Sequence, residues 1–256
     1  MTEFLREHRE AWGRKPALRA AYRELFRRIR AECTPRDPIV ELGCGPGFFK
    51  ELHPDVVATD VFANPYADQQ VDAGAMPFSD GSIGNLVMLD VFHHLEAPAK
   101  FLREASRVLE PGGRVVMIEP WLGLLGFVFY SFVHHEGCDR DVDVGLPFSS
   151  GKDPMEGNAA VPHLYFRAGG HLETLGLPFD LKTRAPFAGL PWLLTGGFSG
   201  PSFAAPPLAR AARALEPVLN RAPRALSTRC LVVLEKRLGE GKKEGEGSRR
   251  MGGSLP

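Results

Sequence analysis

The sequence predicts an α/β fold: a doubly wound, mostly parallel sheet with helices on both faces. Two observations carry this. From Ile39 onward, short apolar runs of strand length alternate with longer runs whose apolar residues recur every three or four positions. The turns Gly43-Cys-Gly-Pro-Gly47 and Pro111-Gly-Gly113 punctuate that alternation. A parallel sheet needs this pattern, because each crossover must carry the chain back over one face. The 256 residues suffice for one such domain with a modest insertion.

Each element follows in order. Glu3 to Arg30 reads as helix, with Leu18, Tyr22, Leu25, Phe26 and Ile29 on one face and arginines between them. Pro16 begins the second helical piece, and Pro35 and Pro38 break it. Residues 1–37 are thus an N-terminal helical segment ahead of a domain over 38–237. Ile39–Leu42 predicts a strand, a helix begins near Phe48, and Val56–Asp60 predicts the next strand. Ser82–Leu89 holds a further strand. Pro98–Leu109 predicts a helix whose Phe101, Leu102, Ala105 and Val108 share a face, and Arg114–Glu119 predicts the strand after it. Residues 120–207 read as a lid-like, substrate-binding insertion, rich at first in aromatics, Gly, Pro and His. Within it, Phe166–Leu175 suggests helix, Asp180–Arg184 strand and Gly189–Pro207 loop. A helix over Leu208–Leu219 and a strand over Cys230–Glu235 complete the domain. Residues 238–256 are too polar and glycine-rich to bury a core and predict a disordered tail.

Composition narrows the function. Thirty-one basic residues balance 31 acidic ones, so no overall field draws the chain to nucleic acid. Four dispersed cysteines form no metal-binding pair and suggest a reducing compartment. The polar N-terminus predicts no secretory leader. The longest apolar run, Trp121 to Val133, is too short to span a bilayer, so a cytoplasmic protein is expected. That run reads as a core helix, a cover over an apolar acceptor, or an interfacial helix touching membrane.

The glycine turn after Ile39–Leu42 lets backbone amides approach a ligand without Cβ clashes. Asp60 ends the next strand, where a carboxylate can accept from ribose hydroxyls. Asp72, followed by Ala73 and Met76, suits an adenine edge and face. Taken singly, Asp72 also fits a turn cap and Glu41 a surface charge; the ordered set points to a bound nucleotide-like cofactor.

Four ordered motifs over residues 39–119 resemble the class I S-adenosylmethionine-dependent methyltransferases, of the methyltransferase type 11 kind. They are the G-x-G-x-G turn, the run from Asp72 to Val87, Asp90-Val-Phe-His-His-Leu95, and Phe101 to Arg114 with its Pro-Gly-Gly turn. The resemblance implies a Rossmann-like seven-stranded sheet and S-adenosyl-L-methionine as cofactor. It implies that Glu41 orients the turn and the methionine amine, that Gly43 and Gly45 line the methionine and ribose portion, and that Gly47 belongs to the same cofactor-binding turn. Asp60 would take the ribose hydroxyls, Val61 and Phe62 would pack near adenine, Asp72 and the Ala73 amide would read its edge, and Asp90 would lie near the methionine end. One departure is Gly84-Asn85, where the family commonly has Phe-Asp; it weakens the start of that strand.

Methyl transfer needs an aligned nucleophile and, for a hydroxyl, a general base. The candidates are His134, His135 and Glu136 in the insertion, with His93 beside the fourth strand. Asn158 to Arg167 and Thr195 to Gly200 are expected to line the acceptor pocket with them. The reading is a monomeric or weakly dimeric methyltransferase acting on a small-molecule or lipid- or sugar-linked acceptor such as a glycolipid, on oxygen, with no metal. A nicotinamide-dependent oxidoreductase and a non-catalytic S-adenosylmethionine binder are the alternatives.

Overall fold

The computed structural model describes residues 2–134, 137–147 and 156–238. Its centre is a seven-stranded sheet of β1 (Ile39–Leu42), β2 (Val57–Asp60), β3 (Gln69–Gln70), β4 (Ile83–Leu89), β5 (Leu109–Pro120), β6 (Phe179–Phe187) and β7 (Arg229–Lys236). The spatial order is β3-β2-β1-β4-β5-β7-β6. The pairs among β1 to β5 are parallel, and β7 runs antiparallel to both β5 and β6. All four residues of β1 are buried, as a central parallel strand covered on both faces requires.

Strand pleating sorts side chains into two cores. Val115 and Met117 of β5 join Phe101 and Leu102 of α4 (Pro98–Val108) on one face. Val116 and Ile118 join Leu18, Tyr22 and Leu25 of α2 (Pro16–Glu32) on the other. That second face also receives Trp12 from α1 (Thr2–Arg14) and Phe48 from α3 (Phe48–Leu52).

The insertion is more integrated than a lid. Its first helix, α5 (Leu124–Phe132), lies against Ser227 and Thr228: the Tyr130 hydroxyl donates to the Thr228 carbonyl at 3.1 Å. The short helix α6 (Val161–Phe166) buries Tyr165 and Phe166 in the first core, and α7 (His171–Thr174) follows it. The strand expected over Asp180–Arg184 extends across β6 and forms a sheet edge, because it finds eight partners along β7. The loop expected over Gly189–Pro207 contains a one-turn helix, α8 (Leu190–Leu193). The helices α9 (Pro206–Leu219) and α10 (Pro223–Leu226) precede β7.

The Gly84-Asn85 departure has a structural reason. The Asn85 amide, fully buried, donates to the Arg36 carbonyl at 2.8 Å and accepts from the Thr34 amide at 2.9 Å. A Cβ at Gly84 would lie 2.4 Å from the Arg36 carbonyl oxygen. The pair admits the 34–36 loop tightly, so the start of β4 is fastened rather than weakened. The predicted tail falls outside the described residues from 239 onward.

Candidate functional site

A cavity of about 1140 Å³ opens at the carboxyl ends of β1, β2 and β4, where open α/β sheets place ligands. It exceeds the ~300–1,000 Å³ of a usual small-molecule site, enough for two reactants side by side.

The floor is the turn after β1. Gly43, Gly45 and Gly47 all adopt positive φ, the left-handed region that glycine occupies without cost. Their surroundings differ. A Cβ at Gly43 would meet Val91 Cγ2 at 2.7 Å, and one at Gly47 would meet Tyr66 Cβ at 2.9 Å. A Cβ at Gly45 would meet nothing within 4 Å, because that position faces the open cavity. Gly43 and Gly45 line the cavity; Gly47 begins α3 and donates its amide to the Cys44 carbonyl at 2.9 Å.

Asp60 holds this turn. Its Oδ2 accepts from the Gly45 amide at 3.1 Å and from the Asn64 side chain at 2.8 Å, and Asn64 in turn donates to the Gly45 carbonyl at 2.7 Å. Among the described residues Oδ1 has only a long contact, 3.4 Å, from the Phe62 amide, which leaves it available to a ligand. Glu41 lies on the cavity wall, 5% exposed, and its Oε2 finds no hydrogen-bond partner among the described residues. Burial, reinforced by the Asp60 carboxylate, pushes its pKa up to about 8. Asp72 accepts from the Gly74 amide at 2.7 Å through Oδ1, and it both caps a turn and lines the cavity beside Ala73 and Val61.

Asp90 leaves β4 at φ 58°, a conformation that aspartate tolerates but that is uncommon. Arg229 of β7, fully buried, donates to Asp90 Oδ1 and lies 4.4 Å from the Trp192 ring centroid. Burial alone would lower its pKa; the Asp90 charge outweighs that and raises it. One guanidinium thus positions two walls of the cavity, Asp90 and Trp192.

The histidines separate. His93 is 3% exposed and absent from the cavity lining; its Nδ1 lies 2.6 Å from Glu119 Oε2. Glu119 Oε1 accepts from the Val91 and Phe92 amides at 2.9 and 2.8 Å. Although Asp90, His93 and Glu119 bring donor atoms within 4.8 Å of one another, each already has a protein partner, and the cluster braces the turn after β4. His134 does line the cavity, against the Phe129 ring at 5.6 Å and that of Tyr130 at 5.4 Å. His135 and Glu136 lie outside the described residues. Of the two segments expected at the acceptor pocket, Gly196, Gly197, Ser199 and Gly200 do line it. Asn158 to Arg167 does not: Tyr165 is buried in the core, and Asn158 braces the chain through Asp139 and Ala160.

Three contributors were not anticipated. Arg229 reaches Asp90 from far along the chain, and Asn64 ties Asp60 to the distant Gly45 carbonyl. His8 of α1 is stacked on Phe198 at 4.1 Å and close to Phe4 at 3.9 Å, forming a roof. Burial lowers its pKa to about 4, so it is neutral near pH 7. The spacing of Phe4, Leu5, His8, Ala11 and Trp12 is a helical face that could have signalled a second buried surface.

Residues 40–117 match the family model described as a methyltransferase domain. A probable S-adenosylmethionine-dependent methyltransferase of Mycobacterium tuberculosis is 30% identical over 111 residues, covering 38% of this chain and 40% of that protein. One of Mycolicibacterium smegmatis is 30% identical over 111 residues, covering 38% and 42%. The chain spans about two fifths of the length of these curated relatives. A solved Thermotoga maritima methyltransferase shares the fold with a TM-score of 0.51 at 15% identity, over 92% of this chain and 97% of that one. Residues 40–117 are thus similar to a methyltransferase domain, and the sheet, with the glycine turn at its switch point, has the fold of the Thermotoga protein.

Proposed function

We propose that the protein transfers a methyl group from S-adenosyl-L-methionine to an oxygen of an acceptor with a substantial apolar body. The observation that carries the donor assignment is the buried Oε2 of Glu41, which finds no partner among the described residues and lies on the same cavity lining as Gly45. A buried carboxylate without a partner is costly unless a ligand supplies one, and a donor's ammonium group answers it. The rest of the floor fits the same ligand: Asp60 Oδ1 for ribose hydroxyls, the Asp72 carboxylate for the adenine amino group, and Val61 against the ring.

When bound, S-adenosylmethionine supplies a methyl carbon on a sulfonium, open to in-line displacement by the acceptor. The chain's own groups orient and dehydrate that reaction. Phe4, Phe129, Trp192 and Phe198 give the roof an apolar lining that excludes water and suits an apolar acceptor. Asp90 is positioned by Arg229 at the end of β4, next to the turn that holds the donor. His134 is assigned as the group that takes the hydroxyl proton, since it lines the cavity and an imidazole nitrogen is a base suited to that transfer.

The reading is tested with donor titrations and methyl transfer to hydroxyl-bearing amphiphiles. His134→Gln is expected to keep donor affinity while lowering kcat by about 10²–10⁴-fold and flattening the acid limb of the pH–rate profile. Unchanged turnover and profile would remove the assignment of the base and, with it, the support for oxygen.

A further inference from the structure

An amphipathic face beside the cavity mouth has no part in the reaction described above. Helix α5 contains no charged residue, and it leaves Leu124, Leu125, Val128 and Phe132 exposed, Phe132 by 79%. These positions form one helical stripe. The opposite side packs inward at Gly126, where a Cβ would lie 2.7 Å from the Ser227 carbonyl oxygen, and at Tyr130. Helix α9 is built alike: Leu208, Leu215 and Val218 share an exposed flank, while Ala212 and Glu216 turn inward. Helix α10 packs against α5. Val133, just after α5, and Phe203, just before α9, are both exposed and both line the cavity. Both stripes therefore reach the mouth at one end.

The charge exposed on the α9–α10 part of this face has one sign. Residues 206–226 carry Arg210, Arg213, Arg221 and Arg224, all exposed. Their single acid, Glu216, is buried and accepts from the Gly189 and Leu190 amides at 3.0 and 3.1 Å. Scattered exposed apolar residues need no explanation. Apolar stripes whose α9–α10 side exposes only arginines have the signature of helices lying in a membrane interface, with cations over anionic head groups. Pairing with a second copy of the same face would set arginines against arginines, since a two-fold contact repeats one patch on both partners.

We infer that the α5–α9–α10 face seats the protein on an anionic lipid surface with the cavity mouth turned toward it, so that a lipid-anchored acceptor can present its head group. The inference rests on reading the cavity as the methyl-transfer site. None of the described helices is long and apolar enough to cross a membrane, so the contact is peripheral.

The test is co-sedimentation of the full chain with vesicles of phosphatidylcholine alone or mixed with phosphatidylglycerol, at low and high salt. Binding is expected only with phosphatidylglycerol and is expected to weaken in salt. Arg210→Glu and Arg213→Glu should each reduce partitioning by at least about fivefold. Leu124→Ser with Phe132→Ser should abolish it while thermal stability and donor affinity stay at wild-type values. Absence of binding to the mixed vesicles, or binding unchanged in these variants, overturns the inference. So does a concentration-dependent dimer that the Ser variants dissolve. Because vesicle binding is read without turnover, a failed donor titration counts against the methyl-transfer reading and a failed sedimentation against the membrane one.

Discussion

Glu41→Gln is the sharpest perturbation of the donor site, because a proton count reads it. With its pKa raised to about 8 by burial and by Asp60, Glu41 is ionised in only about a tenth of the free protein at pH 7. If the donor's ammonium requires the ionised form, binding is weakened by that fraction, a cost of about 1.4 kcal/mol. The affinity of the wild-type protein should then tighten about tenfold between pH 6 and pH 7. Close to one proton, about 0.9, should leave Glu41 per donor bound at pH 7. The donor's amine, with an ordinary α-amino pKa of about 7.7–8.0, takes up only roughly 0.15 of a proton in opposition. Titration calorimetry in buffers of different ionisation enthalpy measures the net release, and Glu41→Gln should reduce it to near zero with a flat affinity over this range. The same shift has a stability signature. A carboxyl whose folded pKa is raised stabilises the fold fully below its unfolded pKa of about 4.5, and that contribution is lost as pH rises toward about 8. The ligand-free protein should thus lose stability over that window, with a slope of up to about 1.4 kcal/mol per pH unit that Glu41→Gln lacks. Proton release near zero in the wild type, or a tenfold pH effect that survives in Glu41→Gln, would refute the assignment.

Other outcomes follow from the same geometry. Gly43→Ala should cost more than Gly45→Ala: both pay about 1–2 kcal/mol for left-handed backbone, but only the Gly43 Cβ also collides with Val91. Thermal melts should rank them in that order, and equal shifts would contradict it. Gly45→Ala should instead weaken donor binding, because its methyl group enters the cavity, as a titration would show. Arg229→Met strands the Asp90 carboxylate. Since Asp90 still reaches solvent through the cavity, the loss should be about 2–3 kcal/mol rather than the ~3–5 of a fully buried pair, a fall in Tm of about 4–12 °C. An unchanged Tm would show that the pair does not hold the wall.

Much of the fold was legible in the chain. Ile39–Leu42, Val56–Asp60 and Arg114–Glu119 announce strands because parallel strands buried on both faces must be apolar runs. The two-residue strand β3 was not legible, since exposed Gln69 and Gln70 carry no pattern and pair only because β2 offers an edge. The length of β6 and the burial of α6 were likewise hidden: polar residues such as Lys182 and Arg184 stand on an edge strand, and Tyr165 is recruited by a core formed elsewhere.

The site divides in the same way. Gly43, Gly45, Asp60 and Asp72 could be picked out in the sequence because a turn that binds a ligand demands particular residue types at close spacing, and those demands are local. Tertiary structure alone decided which histidines face the cavity, that α1 roofs it, that Arg229 reaches Asp90 from 139 residues away, and that the apolar run of α5 turns outward. Those outcomes depend on which surfaces remain after the two faces of the sheet are covered. Such packing is a competition among distant segments, and no window of the chain records its result.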